Sequence, residues 1–507
     1  MTMTMTRLTR TMKSTKTSMR SDAAAALPTL AELEADGVWV VGGAVRDALA
    51  GDQSERFDID IAVADGEDWA RRAGNALNAP AVKISAHFGI WRIPLDGGQI
   101  DVWNLPGNDI ERDLRRRDFT VNAMAVPFGD FRSGELHASL LDPCGGRFDI
   151  QHRSLRLVSD GALRTDPLRM LRAVRLEAQA GWRPDLELRS AIKRDAALIL
   201  ESSAERQWEE LQRILLSERL PWALRRMEQA GLLDRILPEL AIGRCVDQRP
   251  VHRRDVFWHQ IDAVRWIVRL TSPSVARGLR ASAIGRELQP LLDVTAIRAT
   301  LDEWRLPLRL ATLLHDIGKP QTRTVEEDGT THFFGHSELG AEMARDRLTA
   351  LRVPARTINR VELLIAQHLR PGQVNSPGQA PTDRALHRFH TALGDAAVPL
   401  CWLFLADSLA TAGAESLLPR WRAYAAHVAR ILAWQPKRRA QTGRMLDGNA
   451  IMEATGLEPG PLVGQIRAKI DEAAAVGEIA TVDQAREMAR RLARDSTVSL
   501  GHLTAGH

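Results

Sequence analysis

The alternation at residues 57–63, FDIDIAV, constrains this chain more than any other feature. Strand side chains alternate with a period of two, so Phe57, Ile59, Ile61 and Val63 fall on one face and Asp58 and Asp60 on the other. Such a strand needs a core on one side. On the other it presents two carboxylates one pleat apart, a spacing that suits one shared divalent cation or two.

The segment just before it answers that pair. In residues 38–51, VWVVGGAVRDALAG, an apolar run ends at Gly42-Gly43, a helix pattern covers Ala44 to Leu49, and Gly51 stops it. A Gly-Gly turn lets backbone come close to a ligand, and a helix start offers free N–H groups to an anion. Arg46 sits one turn in, where it can hold a phosphate. Each half alone is a common surface or turn pattern. In tandem they supply a phosphate cradle and a metal pair, the parts a phosphoryl-transfer site requires.

The chain has 507 residues, enough for several domains, with 44% hydrophobic and 26% charged residues. Its net charge is only +4, yet abundant arginine brings the pI to about 9.2, which leans mildly towards a polyanionic partner. Cys144, Cys245 and Cys401 are too scattered for a disulfide framework or a cysteine zinc site, and no apolar run long enough to span a bilayer is evident; a reducing cytoplasm fits. Residues 1–25 read as a disordered leader: the first twenty carry five basic residues, no acid and no apolar signal core.

Residues 26–150 are expected to form an α/β catalytic portion, with a helix near 69–77 and short strands at 81–84, 90–94 and 99–103. Asp101 is a candidate third carboxylate near the metal pair or an ordinary strand-end acid. Residues 113–126, DLRRRDFTVNAMAV, form a basic cluster around Asp118. In residues 164–182 the sequence predicts a helix with Asp166 as N-cap and Pro167 at its first position. Arg169, Arg172 and Arg175 recur along one face of it. Residues 151–245 read as a helical neck and body.

A third constellation follows in residues 246–435. His259 lies in a helical pattern, His315-Asp316 at a helix end, and His336, His368 and Asp407 in later helices. An adjacent His-Asp suits a transition metal. Residues 436–507 read as a charged linker containing Lys437, Arg438 and Arg439, then a helical tail whose last ten or so residues are disordered.

VGGAVRD followed by FDIDIAV resembles the polymerase-beta nucleotidyltransferase superfamily, in the branch of tRNA nucleotidyltransferases (CCA-adding enzymes) and bacterial poly(A) polymerases. RRDFTVNAMA resembles the second signature of that branch, and RTDPLR its EDxxR motif, with Thr165 where the family usually has Glu. Ala125, where poly(A) polymerases tend to carry an aromatic residue, favours the tRNA enzymes. His259, His315, Asp316 and Asp407 resemble the metal set of the HD phosphohydrolases, with His336 and His368 matching the additional histidines of the two-metal type.

The resemblance implies an α+β chain: a polymerase-beta-like domain with a small mixed sheet, then all-α neck, HD and tail domains, the tail binding RNA. It implies CCA addition to tRNA 3′ ends from CTP and ATP, with Mg²⁺ on Asp58 and Asp60. Gly43, Arg46 and Arg117 would hold the triphosphate, and Asp118 and Asn122 would organise the loop and sugar contacts. The base would be chosen by Asp166 and Arg169, with Arg172 and Arg175 as further nucleotide contacts. Chemistry supports that choice. A carboxylate only accepts and a guanidinium only donates, which matches the amine and ring nitrogen of cytosine and adenine and rejects uracil and guanine. An HD phosphohydrolase activity on a divalent transition metal would accompany it. The alternatives are an A-adding enzyme or poly(A) polymerase, and an HD hydrolase whose N-terminal half only senses nucleotide.

Overall fold

The computed structural model describes residues 27–51, 57–85, 89–248, 254–272, 286–288, 291, 294–374, 380–412, 418–436 and 445–504. The leader and Lys437, Arg438 and Arg439 lie outside these residues. The chain divides into two compact units: one runs to Glu210 and includes Arg226–Arg235, and the other comprises Leu211–Arg225 and Ile236 onwards.

The first unit is built on a six-stranded mixed sheet. In chain order come β1 (Trp39–Val41), helix α1 (Gly43–Ala50), β2 (Phe57–Val63), helix α2 (Gly66–Leu77), β3 (Val82–Ser85), β4 (Ile90–Leu95), β5 (Gly98–Asn104) and β6 (Ala125–Pro127). The spatial order is β3-β4-β5-β2-β1-β6, with β2 and β5 parallel and the other pairs antiparallel. Ile59, Ile61 and Val63 enter a core with Val40, Val45, Trp69, Ile93 and Ile100, while Ala62 joins a smaller cluster with Val41 and Ala125 on the aspartate face. The alternation thus gives each face of β2 its own environment, as the period-two pattern predicts. Gly51 closes α1 in the left-handed conformation at φ 69°, its N–H bonded to the Ala48 carbonyl. Helices α3 (Arg169–Ala180) and α4 (Ala204–Leu215) follow.

The regular helix starts two residues later than Asp166-Pro167 predicts, although Asp166 Oδ1 accepts from the Leu168 N–H at 3.3 Å as an N-cap does. Helix α3 begins at Arg169, with no side-chain cap at Leu168, and Asp166 is the extended residue ending the preceding turn, Ala162–Thr165. Pro167 disfavours the helical region for the residue before it, so Asp166 stays extended.

The second unit is almost wholly helical. It contains α5 (Val256–Thr271), α6 (Arg305–Leu314), α7 (His336–Ala350), α8 (Ala355–Ala366), α9 (Asp383–Leu393) and α10 (Ala397–Ala412). A tail of α11 (Gly448–Thr455), α12 (Pro461–Val476) and α13 (Val482–Thr504) packs around Ile451, Ile466, Ile470 and Ala489. Outside the large sheet, the strands among the described residues are two-residue pairs, Ser154–Leu155 with Arg183–Pro184 and Thr324–Val325 with Thr331–His332.

Two further expectations differ from the structure. Helix α13 runs to Thr504, where a disordered end was expected. The stretch Asp383–Thr411 reaches a mean hydropathy of 1.4 over an 18-residue window, long and apolar enough to cross a bilayer by composition. That window is 61% buried inside the protein, and Leu400, Trp402, Leu403 and Leu409 on α10 are fully buried, so its apolarity serves the core.

Candidate active site and metal centre

The aspartate face of β2 is where the first signature meets the second. Asp58 is exposed and Asp60 half-buried. Gly42, at φ 71°, sits between Asp60 and Arg117: a Cβ there would lie 2.9 Å from both Asp60 Oδ2 and Arg117 Nη1. Gly43 is less constrained, since its Cβ would meet only Arg46 Nη2 at 3.6 Å and Nη1 at 4.0 Å. Of the two glycines read as the close-approach turn, Gly42 is the one whose Cβ would crowd Asp60 and Arg117. Burial above all, and then Asp101 and Asp58, push the Asp60 carboxyl up to about 6 against the pull of Arg117 and Arg172. A carboxylate kept in excess of its local cations suits a divalent ion.

Asp101 pairs in register with Asp60 across the parallel β2–β5 contact, so the two side chains share a face. Arg92 holds Asp101 through Nε and Nη2, each at 2.8 Å, and Gln99 adds a bond at 3.1 Å. Arg92, on the adjacent strand directly opposite Asp101, carries no signal in the sequence.

The basic groups are tied into one network. Arg117 donates to Asp113 at 2.8 Å and stacks over Trp103 at 5.0 Å. Arg46 donates to Asn122 Oδ1 at 2.7 Å, and Asn122 Nδ2 donates to Asp118 at 3.0 Å. Arg172 donates to the other Asp118 oxygen at 2.9 Å. Burial acts to raise Asp118, but Arg172, Asn122 and the Phe119 N–H outweigh it and hold the carboxyl at about 2. Arg172 and Arg175 both reach Glu210 on α4, at 3.4 and 2.6 Å. The guanidinium of Arg169 is fastened to backbone, with Nη1 on the Arg117 and Ala162 carbonyls and Nη2 on the Arg116 carbonyl. Asp166 accepts from Arg206 at 2.8 Å. Thus Arg172 and Arg175 stand on carboxylates, and Glu210, the one they share, went unnamed in the sequence because it comes from another helix.

In the second unit six predicted ligands converge. His259 Nε2 lies 2.9 Å from Asp407 Oδ1 and 3.5 Å from Asp316 Oδ2, which is 3.3 Å from His315 Nε2. The other oxygen of Asp316 lies 3.6 Å from His336 Nε2 and 3.8 Å from His368 Nε2. His259, His315 and Asp407 form one group able to hold an ion, and Asp316, His336 and His368 a second. His315, His336 and His368 turn Nδ1 to the carbonyls of Thr312, Phe333 and Ile365, at 2.9, 2.6 and 2.7 Å. Donation there fixes the tautomer that leaves Nε2 as a lone-pair ligand.

The donor set fits metal. Asp316 Oδ1 and His315 Nε2 are buried without a hydrogen-bond partner, while Asp316 Oδ2 and Asp407 Oδ1 are met by Lys319 Nζ at 2.7 Å and His259 Nε2 at 2.9 Å. Such atoms are costly to bury unless something satisfies them. Against the effect of burial, Asp316 and Asp407 push the His315 imidazole up to about 10, and burial with His315 nearby drives His368 down to about 4. A field that holds a proton on His315 will hold a cation in its place. Sequence reasoning passed over Lys319, whose Nζ lies 2.7 Å from Asp316 Oδ2 and 2.9 Å from Gln248 Oε1; its only signal is its place in HDIGKP.

Comparison with known proteins adds the family. Residues 98–156 match the poly A polymerase head domain, residues 182–242 the probable RNA and SrmB-binding site of polymerase A, and residues 279–412 the HD domain. The chain is 34% identical to the A-adding tRNA nucleotidyltransferase of Deinococcus radiodurans over 91% of this chain and 96% of that one. It is 32% identical to the CC-adding tRNA nucleotidyltransferase of Thermus thermophilus over 88% and 91%. The fold is similar to that of the Bacillus stearothermophilus CCA-adding enzyme in complex with CTP, at TM-score 0.53 and 21% identity over 94% and 98% of the chains. Likeness to both relatives over nearly their whole length, with polymerase head and HD modules in the same chain, makes this protein an enzyme of the tRNA nucleotidyltransferase family.

Proposed function

We propose that the chain completes the CCA end of tRNA without a template, using CTP and then ATP and releasing pyrophosphate. The observation that carries this is the meeting of Gly42, Asp60 and Arg117 at one point on the aspartate face of β2. A carboxylate for metal and a guanidinium for phosphate stand there either side of a glycine with no side chain to exclude a nucleotide.

Asp58 and Asp60 would hold Mg²⁺, which when bound supplies positive charge at the α-phosphate and acidity at the attacking hydroxyl. Arg117 and Arg46 bind and orient the triphosphate. The tRNA 3′-oxygen forms the new bond to the α-phosphorus, and the bond to the bridging oxygen of pyrophosphate breaks. The remaining Asp166 lone pairs accept from the exocyclic amine of C or A, and Arg169 donates to the ring nitrogen. The second N–H of Arg169 Nη2 is available for this, since three of the five guanidinium donors are spent on carbonyls. The six-ligand centre supports a metal-dependent phosphohydrolase activity in the same chain.

One observation favours a second reading. The relatives matched over nearly full length bear the names A-adding and CC-adding, so a division of labour is the specific competitor. A transfer assay on tRNA lacking its CCA and on tRNA ending in CC, with CTP and ATP offered singly and together, decides between them. Two C and then one A establish CCA addition. Addition of A alone to a CC end, or arrest after two C, establishes a partial enzyme. No addition, with phosphate release intact, turns the assignment to the hydrolase.

A further inference from the structure

One helix holds Asp166 of the base-choosing pair together with the two arginines that follow Arg169 on α3. Arg206 and Glu210, one turn apart on α4, reach Asp166 at one end and Arg172 and Arg175 at the other. Glu210 is buried, at 4% exposure, and Arg206 is exposed. Asp166 receives two hydrogen bonds from the described residues: Arg206 Nη2 to Oδ2 at 2.8 Å, and the Leu168 N–H to Oδ1 at 3.3 Å. The second is long and comes from the segment carrying Asp166 itself. Thr165, beside it, spends its hydroxyl on the Ala162 carbonyl at 2.9 Å and offers Asp166 nothing.

The two halves of the pair are therefore held very differently. Arg169 is set by three backbone carbonyls, whereas among the described residues the only side chain bonded to Asp166 is Arg206. Asp166 follows a short turn, Ala162–Thr165, and lies outside the helix that carries Arg169. Discrimination by one acceptor and one donor depends on their spacing, and a displaced carboxylate no longer meets the amine.

We propose that Arg206 is a specificity-determining positioning residue. By bonding Oδ2 it fixes the Asp166 carboxylate at the distance from Arg169 that selects C and A over U and G. This rests on the reading of Asp166 and Arg169 as the base selector. Arg206 touches neither substrate nor reacting atoms; it acts through Asp166.

The test is single-nucleotide addition by the full chain, with kcat/KM measured for CTP against UTP, or for ATP against GTP on a CC end if only A is added. Arg206→Ala is expected to lower the preference for the correct base by about tenfold or more, on the scale of losing one positioned polar contact. Arg206→Lys, which keeps one donor, should retain most of it. An unchanged ratio in Arg206→Ala, whether overall turnover falls or not, overturns the proposal. Should Arg206→Ala fail to fold, Arg206→Met, which keeps bulk and offers no donor, decides: a ratio equal to that of wild type overturns it. Asp166→Ala run alongside separates the two levels. If that variant also keeps the ratio, the base-selector reading fails; if it loses the ratio while Arg206→Ala keeps it, only this inference fails.

Discussion

A Cβ on Gly42 would lie 2.9 Å from Oδ2 of Asp60. The glycine that follows β1 and the carboxylate offered by β2 thus define one spot, with backbone on one side and the group proposed to hold metal on the other. Gly42→Ala should lower nucleotidyl transfer at least a hundredfold and destabilise the first unit by about 1–3 kcal/mol, from strain at positive φ and the clash together. Gly43→Ala, whose Cβ meets only the flexible end of Arg46, should cost far less. Steady-state kinetics and denaturant midpoints of the two variants check the contrast.

Asp58→Ala should abolish transfer, by on the order of a thousandfold, since the group proposed to hold Mg²⁺ is removed. Its exposure means the fold survives, so circular dichroism should be unchanged. Robust transfer by a folded Asp58→Ala rules out the metal assignment.

Asp316 faces both halves of the HD centre, so it should govern both ions. After dialysis into Mn²⁺, mass spectrometry of the metal should count two tightly held ions per wild-type chain. His368→Ala should keep one, and Asp316→Ala neither. Equal metal content in all three proteins would contradict a shared carboxylate.

The Asp118 carboxyl titrates at about 2 in the folded protein against 3.8 for a free side chain. Its bonds to Arg172, Asn122 and Phe119 therefore add stability that is complete above about pH 4 and is lost as the pH falls through about 2. The contribution is about 2 kcal/mol. Urea midpoints measured from pH 5 to pH 2 should fall more steeply for wild type than for Asp118→Asn. Parallel slopes would show that Asp118 does not carry this acid sensitivity.

Much of the site is legible in the chain because the relevant spacings are short. The alternation around Asp58 and Asp60 states which face is core, since a strand's period is fixed by its backbone, and the sheet follows it. The adjacent His315-Asp316 and the separate histidines announce a metal centre by residue type. The end of α1 at Gly51 is equally local.

What the sequence by itself determined were faces, turns and chemical types, all set by neighbours within a few positions. Only the tertiary structure decided partners. It chose Gly42 over Gly43 as the point of closest approach, set Arg92 on Asp101, and spent Arg172 and Arg175 on Glu210. It also turned one oxygen of Asp316 to each pair of histidines. The physical reason is range. Backbone sterics and side-chain period act along the chain, whereas hydrogen bonds and ion pairs form between groups that folding brings together. Arg206 and Asp166, forty positions apart, meet only once α4 lies against the turn that carries the carboxylate.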